Sequence, residues 1–324
     1  MVMATPLLKS LRESCEGELW GFGKSRAMRL YRGLDLFDRF VPNDSKDVVN
    51  FLDTVNTLKR LEFERGIILP HSFRSALVFF LSGVRERVGY PRNKRGFMLN
   101  HHVRQTVRPE PTVEHYLRMV ETIGCKRLYE TPLLSVTEDE EQKFDENHLD
   151  IGGDYVAFII GAQYGPSKRW PEAHFSILAD MIADAFGMMV YLLPGLGEEA
   201  VAERILSGVR NRERVQSRTL DIQDLKACLS RATAVVSNDT GPRHIAVALS
   251  VPTAVILGPM DETYTRYTNG FTTTIGHDLP CRPCNQKKCD RDHECLKGIM
   301  PEEVLEVLER IIGARRAAAS RTLP

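Results

Sequence analysis

The sequence predicts a two-domain α/β protein whose second half is a parallel sheet covered by helices on both faces. Three observations predict it. The chain has 324 residues, more than one hydrophobic core usually supports. From residue 155 to residue 257, short apolar runs alternate with amphipathic stretches of helical period, the pattern of βα units. The links that follow the apolar runs are short and rich in Gly, Pro and small polar residues, as at the carboxyl edge of such a sheet.

In the first half, Pro6 suits a first helical turn, with Thr5 as N-cap and Leu7, Leu8 and Leu11 as an apolar face. Residues 18–22 fit a short strand. Residues 48–60 read as a helix, with Val49, Leu52, Val55 and Leu58 at helical spacing. A buried strand over 66–70, a helix over 72–81, a strand over 87–90 and a helix over 113–124 follow. Residues 131–150 carry the acidic run Glu138, Asp139, Glu140, Glu141 without apolar periodicity, and are read as the link between domains 1–150 and 151–324. In the second half, strands are expected at 155–160, 188–193, 234–236 and 253–257, and helices at 175–186, 198–209, 221–231 and 241–249. The last helix is a candidate to pack back on the first domain.

Hydrophobic content is 43%, charged content 27% and formal net charge zero, ordinary for a globular chain and giving no global sign of a polyanionic partner. No run approaches the ~18 apolar residues of a membrane span. The first residues lack a basic-then-apolar leader. A cytoplasmic location is the expectation.

Ligands of an open α/β sheet bind beyond the carboxyl ends of its strands. After Val236 comes Ser-Asn-Asp-Thr-Gly-Pro-Arg-His over 237–244. Gly241 lets a ligand approach the backbone, and Pro242 pre-sets a first helical turn whose N–H groups attract an anion. A plain N-cap at Asp239 or Thr240 is the alternative. The loop 161–171 brings Lys168 and Arg169 to the same edge, where a lysine meets a diphosphate from the other side. Gly195, Gly197 and Ala200 fit the fingerprint G-x-G-x-x-A of a nicotinamide dehydrogenase. That match lies on the second strand of this half, and Glu198 and Glu199 would repel a pyrophosphate.

The run Asn238 to Ala246, together with Val251-Pro252-Thr253 and Leu257-Gly258-Pro259, resembles the signature of glycosyltransferase family 9, the ADP-heptose:lipopolysaccharide heptosyltransferases. Residues 161–171 (GAQYGPSKRWP) and 69–81 (LPHSFRSALVFFL) look most like heptosyltransferase II. The resemblance implies a GT-B fold, two Rossmann-like domains facing across a cleft. It implies inverting transfer of heptose from ADP-heptose, bound by the second domain, to a Kdo-lipid A or heptosylated inner-core acceptor bound by the first. Lys168, Asp239, Thr240, Gly241, Pro242 and His244 would line the donor's phosphate and sugar, with Lys168 and Asp239 supporting catalysis, and Glu198 or Glu199 would hold the ribose. Arg243 departs from the apolar residue usual after Gly-Pro. No catalytic metal is implied. The family's first strand ends in Gly-Asp, and that Asp is the expected base. Here the sequence opens just after it, so the expectation is a folded donor domain with impaired transfer, or a homologue that binds nucleotide sugar without turning it over.

Between residues 85 and 108 lie seven Lys or Arg and one acid, Glu86, a patch suited to an anionic partner. His71, Ser72, Arg74, Arg92 and Arg95 are the candidate acceptor residues. Nucleic acid is not expected, because only Tyr90 and Phe97 interleave with the patch. Peripheral contact with the inner membrane follows from the lipid acceptor. Of seven cysteines, Cys15, Cys125 and Cys228 are scattered. Cys281, Cys284, Cys289 and Cys295 are clustered and have the ligand count of a structural zinc site; metal, disulfides and unpaired thiols all remain open readings.

Overall fold

The computed structural model describes residues 1–44, 47–267 and 270–321. The chain divides into two compact units, Met1–Pro132 and Leu133–Pro324.

The first unit runs α1 (Thr5–Ser14), β1 (Trp20–Gly23), α2 (Ser25–Leu30), β2 (Arg39–Pro42), α3 (Val48–Leu61), β3 (Arg65–Ile67), α4 (Phe73–Leu81), β4 (Glu86–Gly89), β5 (His101–His102) and α5 (Thr112–Thr122). β1 pairs with β2, and β3, β4 and β5 form a second ladder; every pairing is parallel. Thr5 is not the N-cap expected of it. Ala4 is, and the Thr5 hydroxyl donates to the Val2 carbonyl. In α3, Val55 and Leu58 are buried but Val49 and Leu52 are exposed. Cys15 and Cys125, scattered in sequence, are joined in a disulfide between the ends of α1 and α5, with Cα atoms 6.0 Å apart.

The second unit runs α6 (Glu138–Asn147), β6 (Tyr155–Ile159), α7 (Glu172–Phe186), β7 (Met189–Leu192), α8 (Glu199–Gly208), β8 (Val215–Ser217), α9 (Ile222–Arg231), β9 (Ala234–Asn238), α10 (Gly241–Ala248), β10 (Thr253–Ile256), β11 (Thr272–Ile275), α11 (Glu294–Lys297) and α12 (Pro301–Arg321). Its sheet is six-stranded, ordered β11-β10-β9-β6-β7-β8, and parallel throughout. β6, β9 and β10 are buried at every residue, which is why they read as unbroken apolar runs. One face packs on α7, α8 and α12 through Phe158, Phe175, Ile182, Ile205 and Leu308. Tyr155 points to the other face, where its hydroxyl donates to the Cys228 carbonyl of α9.

The acidic run expected to link the domains is α6. A capping box at Thr137 and Glu140 starts it, with acidic residues filling the first turn where the helix dipole favours them. Its apolar anchor is Phe144, and Glu140 forms a fully buried ion pair with Lys226 of α9 at 2.8 Å. One aromatic and one ion pair replace an apolar stripe, so periodicity does not reveal the helix. The division between units therefore falls at Pro132 rather than residue 150. β8 and β11 also escape the sequence reading: they are the sheet's two edges, only partly buried and correspondingly polar. The last helix, α12, lies on α7, β9 and β10 of its own unit. Among the described residues no helix is long and apolar enough to cross a membrane.

Candidate donor site

In the six-stranded sheet the chain builds outward from β6, first through β7 to β8 and then from β9 to β11. The order reverses between β6 and β9, so the crevice at their carboxyl ends is the topological switch point where ligands of such sheets bind. The two loops singled out from sequence meet there.

Lys168, in the loop after β6, reaches 71 residues along the chain to Asp239, after β9. Its ammonium stands 2.7 Å from Asp239 Oδ2 and donates to the Asp239 carbonyl at 3.1 Å. The other carboxylate oxygen receives the guanidinium of Arg243 at 2.9 Å. The Asp239 side chain is 4% exposed and that of Lys168 11%, so this charge triad is largely shut off from bulk water. Asp239 is therefore not an open ligand of a phosphate; it fixes Lys168. Arg243 turns inward as well. It is 2% exposed and donates to the Thr265 carbonyl, which removes it as a direct surface contact for phosphate in this structure.

Asn238 fastens the two loops together. Its amide donates to the Ile160 carbonyl at 2.7 Å, and its oxygen accepts from the Trp170 N–H at 3.0 Å. Thr240 is the N-cap of α10, with extended backbone and no side-chain cap bond, and Pro242 lies in the first turn. Nothing lies within 4 Å of where a Gly241 Cβ would stand. Gly241 is exposed, and the N–H groups of a helix's first turn have no intrahelical partner and attract an anion. One turn in, His244 Nδ1 is 2.6 Å from the Tyr267 hydroxyl. Burial, then the nearby Arg243 and Lys168 charges, hold the imidazole well below its ordinary pKa, and burial raises that of Tyr267. A neutral imidazole and a neutral phenol share one proton across this contact.

The glycine-rich turn after β7 is no dinucleotide fingerprint. Glu198 folds back into it and accepts from the N–H groups of Ala162 and Gly195, each at 3.0 Å, and from Arg169 at 3.2 Å. A Cβ on Gly161 would stand 1.7 Å from the Glu198 carboxylate, so a larger residue there would push Glu198 out of this position. The side chain expected to hold a ribose is, as placed here, a latch between loops. Glu199 accepts from the Gly197 N–H at 3.2 Å and stays exposed. No dinucleotide phosphate cradle remains.

The loop after β6 is also buttressed from 285–287. Tyr164 donates to the Asn285 carbonyl at 2.8 Å and Ser167 to the Gln286 carbonyl at 2.7 Å. This segment belongs to the cysteine loop. Cys281, Cys284, Cys289 and Cys295 line one small cavity, with Ser167 on its wall. Cys289 Sγ accepts from the N–H groups of Arg291 and His293, both at 3.3 Å. Among the described residues no three His, Cys, Asp or Glu side chains stand where they would hold a metal ion together. The four thiols are unpaired, and the loop carrying them braces the Lys168 loop.

In the first unit the acceptor candidates separate. Arg95 is fully buried. It donates to the carbonyls of Pro70, Tyr90 and Ser72 and to the Ser75 hydroxyl, and is a brace rather than a contact surface. Ser72 caps α4 by accepting from the Ser75 N–H at 3.1 Å. Arg74 donates to the Asp47 carbonyl and lies over Phe51. Arg92 is exposed and donates to Gln105 at 3.2 Å. His71 Nε2 faces His115 Nε2 at 2.9 Å; His115 stacks on Tyr90 and its Nδ1 stands 3.4 Å from Glu110. Burial, then the charges of His115, Arg92 and Arg95, depress His71 to about 4, so His71 is neutral near pH 7. Sequence spacing gave no sign of the chain from Glu110 through His115 to His71.

Known proteins carry the same arrangement of elements. The structure of E. coli ADP-heptose lps heptosyltransferase II superposes with a TM-score of 0.83 at 22% identity, covering 98% of this chain and 96% of that one. E. coli heptosyltransferase WaaC with ADP-2-deoxy-2-fluoro heptose gives 0.68 at 18% identity, covering 95% of each. The fold is thus the GT-B fold of these enzymes. Lipopolysaccharide heptosyltransferase 2 of Escherichia coli (strain K12) is 26% identical over 79% of this chain and 78% of its own length. Lipooligosaccharide heptosyltransferase 2 of Campylobacter jejuni subsp. jejuni serotype O:2 is 25% identical over 96% and 94%. The profile of glycosyltransferase family 9 (heptosyltransferase) matches residues 52–294, a span holding Lys168, Asp239 and the start of α10, and the chain belongs to that family.

Proposed function

We propose that the chain transfers L-glycero-D-manno-heptose from ADP-heptose to the lipopolysaccharide inner core, with the donor diphosphate lying over the first turn of α10 beside Lys168. The observation that carries this reading is the pinning of Lys168 by Asp239 at the switch point, next to an open helix N-terminus. A cation held by a buried carboxylate is already oriented when the donor arrives, so little reorganisation is needed as charge develops. The relatives' names supply the sugar and the acceptor class: heptosyltransferases of lipopolysaccharide, one of them solved with an ADP-heptose analogue.

In the proposed reaction an acceptor hydroxyl attacks the anomeric carbon as a base takes its proton. The bond from that carbon to the diphosphate oxygen breaks, and ADP leaves with inversion. Lys168 and the α10 N–H groups take up the negative charge of the departing ADP. Arg74 and Arg92 are the exposed cations proposed for the anionic acceptor, at the cytoplasmic face of the inner membrane. These protein groups supply the positive charge, so no metal is required.

Incubation with ADP-heptose and a Kdo-lipid A acceptor bearing one heptose is expected to add one heptose to the lipid and release ADP in equal amount, at a rate that EDTA leaves unchanged. A rate abolished by EDTA and restored by a divalent cation would contradict the assignment of charge stabilisation to Lys168 and α10. ADP-heptose binding without any transfer would select a nucleotide-sugar-binding homologue instead.

A further inference from the structure

α4 and the turn after β4 display an aromatic cluster to solvent. Phe73, Phe80, Leu81 and Phe97 are 43%, 42%, 47% and 71% exposed. The Phe97 ring lies 6.3 Å from both Phe73 and Phe80, which stand seven residues apart on one face of the helix. Three touching phenylalanines in water are costly unless something covers them.

The backbone that presents them is built at a cost of its own. Asn93 and Lys94 both adopt positive φ, at 55° and 59°, a conformation rarely used by consecutive non-glycine residues. Arg95 is buried beneath the turn, bonded to carbonyls on the loop that enters α4, and its Nη2 has no partner among the described residues. His102 Nε2 meets the Gly96 carbonyl at 3.0 Å. These contacts hold the turn against α4, so that Met98 and Leu99 enter the small core with Ala76 while Phe97 stays outside.

The rim is basic. The Arg87 guanidinium lies 5.4 Å from the Phe80 ring, and Arg85, Arg92 and Lys94 are exposed in the same loops. The acid of this stretch, Glu86, is paired with Arg65 at 2.5 Å. Exposed aromatics ringed by cations match a bilayer surface, where rings enter the acyl boundary and Lys and Arg meet anionic headgroups.

We propose that this face, with Phe97 at its centre, seats the first unit on an anionic lipid surface. The proposal deepens the reading of a lipid-borne acceptor by naming the surface that meets the lipid. Co-sedimentation with vesicles tests it without donor or acceptor, so it stands or falls apart from the transfer reaction. The full chain is expected to bind vesicles of phosphatidylethanolamine with phosphatidylglycerol and to bind phosphatidylcholine weakly. Phe97→Ser is expected to lower binding about tenfold, roughly the loss of one interfacial ring. The pair Arg85→Glu and Lys94→Glu is expected to remove the preference for phosphatidylglycerol. For Phe97→Ser, KM should rise for acceptor embedded in vesicles and stay unchanged for a delipidated core oligosaccharide. Absence of wild-type vesicle binding, or equal binding by Phe97→Ser, overturns the proposal. So does a wild-type dimer that Phe97→Ser dissolves, which would assign the face to a second copy of the chain.

Discussion

Lys168→Ala is expected to weaken binding of ADP and ADP-heptose by about 2–3 kcal/mol, roughly 30- to 150-fold in Kd. The Lys168 side chain is 11% exposed and its ammonium is held by Asp239 at 2.7 Å, so the variant removes an oriented cation from the mouth of α10. The fold should survive, because Asp239 keeps Arg243 at 2.9 Å. Titration calorimetry checks the affinity, and an unchanged Kd would remove the diphosphate from this position. Lys168→Arg separates charge from shape: it keeps the cation but brings a planar fork into a site fitted to a point charge, and should recover only part of the loss.

Asp239→Ala is expected to destabilise the second unit strongly. It leaves the Lys168 and Arg243 cations with no carboxylate between them in a largely dry site. Removing one partner of a buried ionic group costs about 3–5 kcal/mol, or a fall of roughly 6–20 °C in Tm for a unit of this size. Asp239→Asn keeps the shape and should lose nearly as much. Adding Arg243→Met to Asp239→Asn removes one uncompensated cation and should restore part of the stability. Thermal unfolding measures all three; a Tm within 2 °C of wild type for Asp239→Ala would show that the triad is not a closed ionic cluster.

The parts of the fold legible in the sequence are those with a local cause. β6, β9 and β10 are buried on both faces and read as continuous apolar runs, and Gly241-Pro242 marks the start of α10. The position of the donor loops followed from the strand-end rule. Contacts between distant residues did not follow. Lys168 and Asp239 were each legible as site residues, but their bond spans 71 positions, and nothing local says that the carboxylate is consumed by it. Glu198 was legible as an acid in a glycine turn, whereas its role as a latch depends on Gly161 of another loop. Arg95 sits in a basic run, and charge alone does not separate a buried brace from its exposed neighbours. The disulfide between Cys15 and Cys125 closes a separation of 110 residues. α6 was missed because its burial rests on one aromatic and an ion pair.

The central claim is that the carboxyl edge between β6 and β9 holds a nucleotide diphosphate. Amide hydrogen exchange of the full chain with and without saturating ADP tests it most directly. Slowed exchange is predicted in two segments, 161–169 and 240–244, with little change over 195–200, where Glu198 already closes the turn. Protection confined to 195–200, or absent from both loops while ADP is bound, would contradict it.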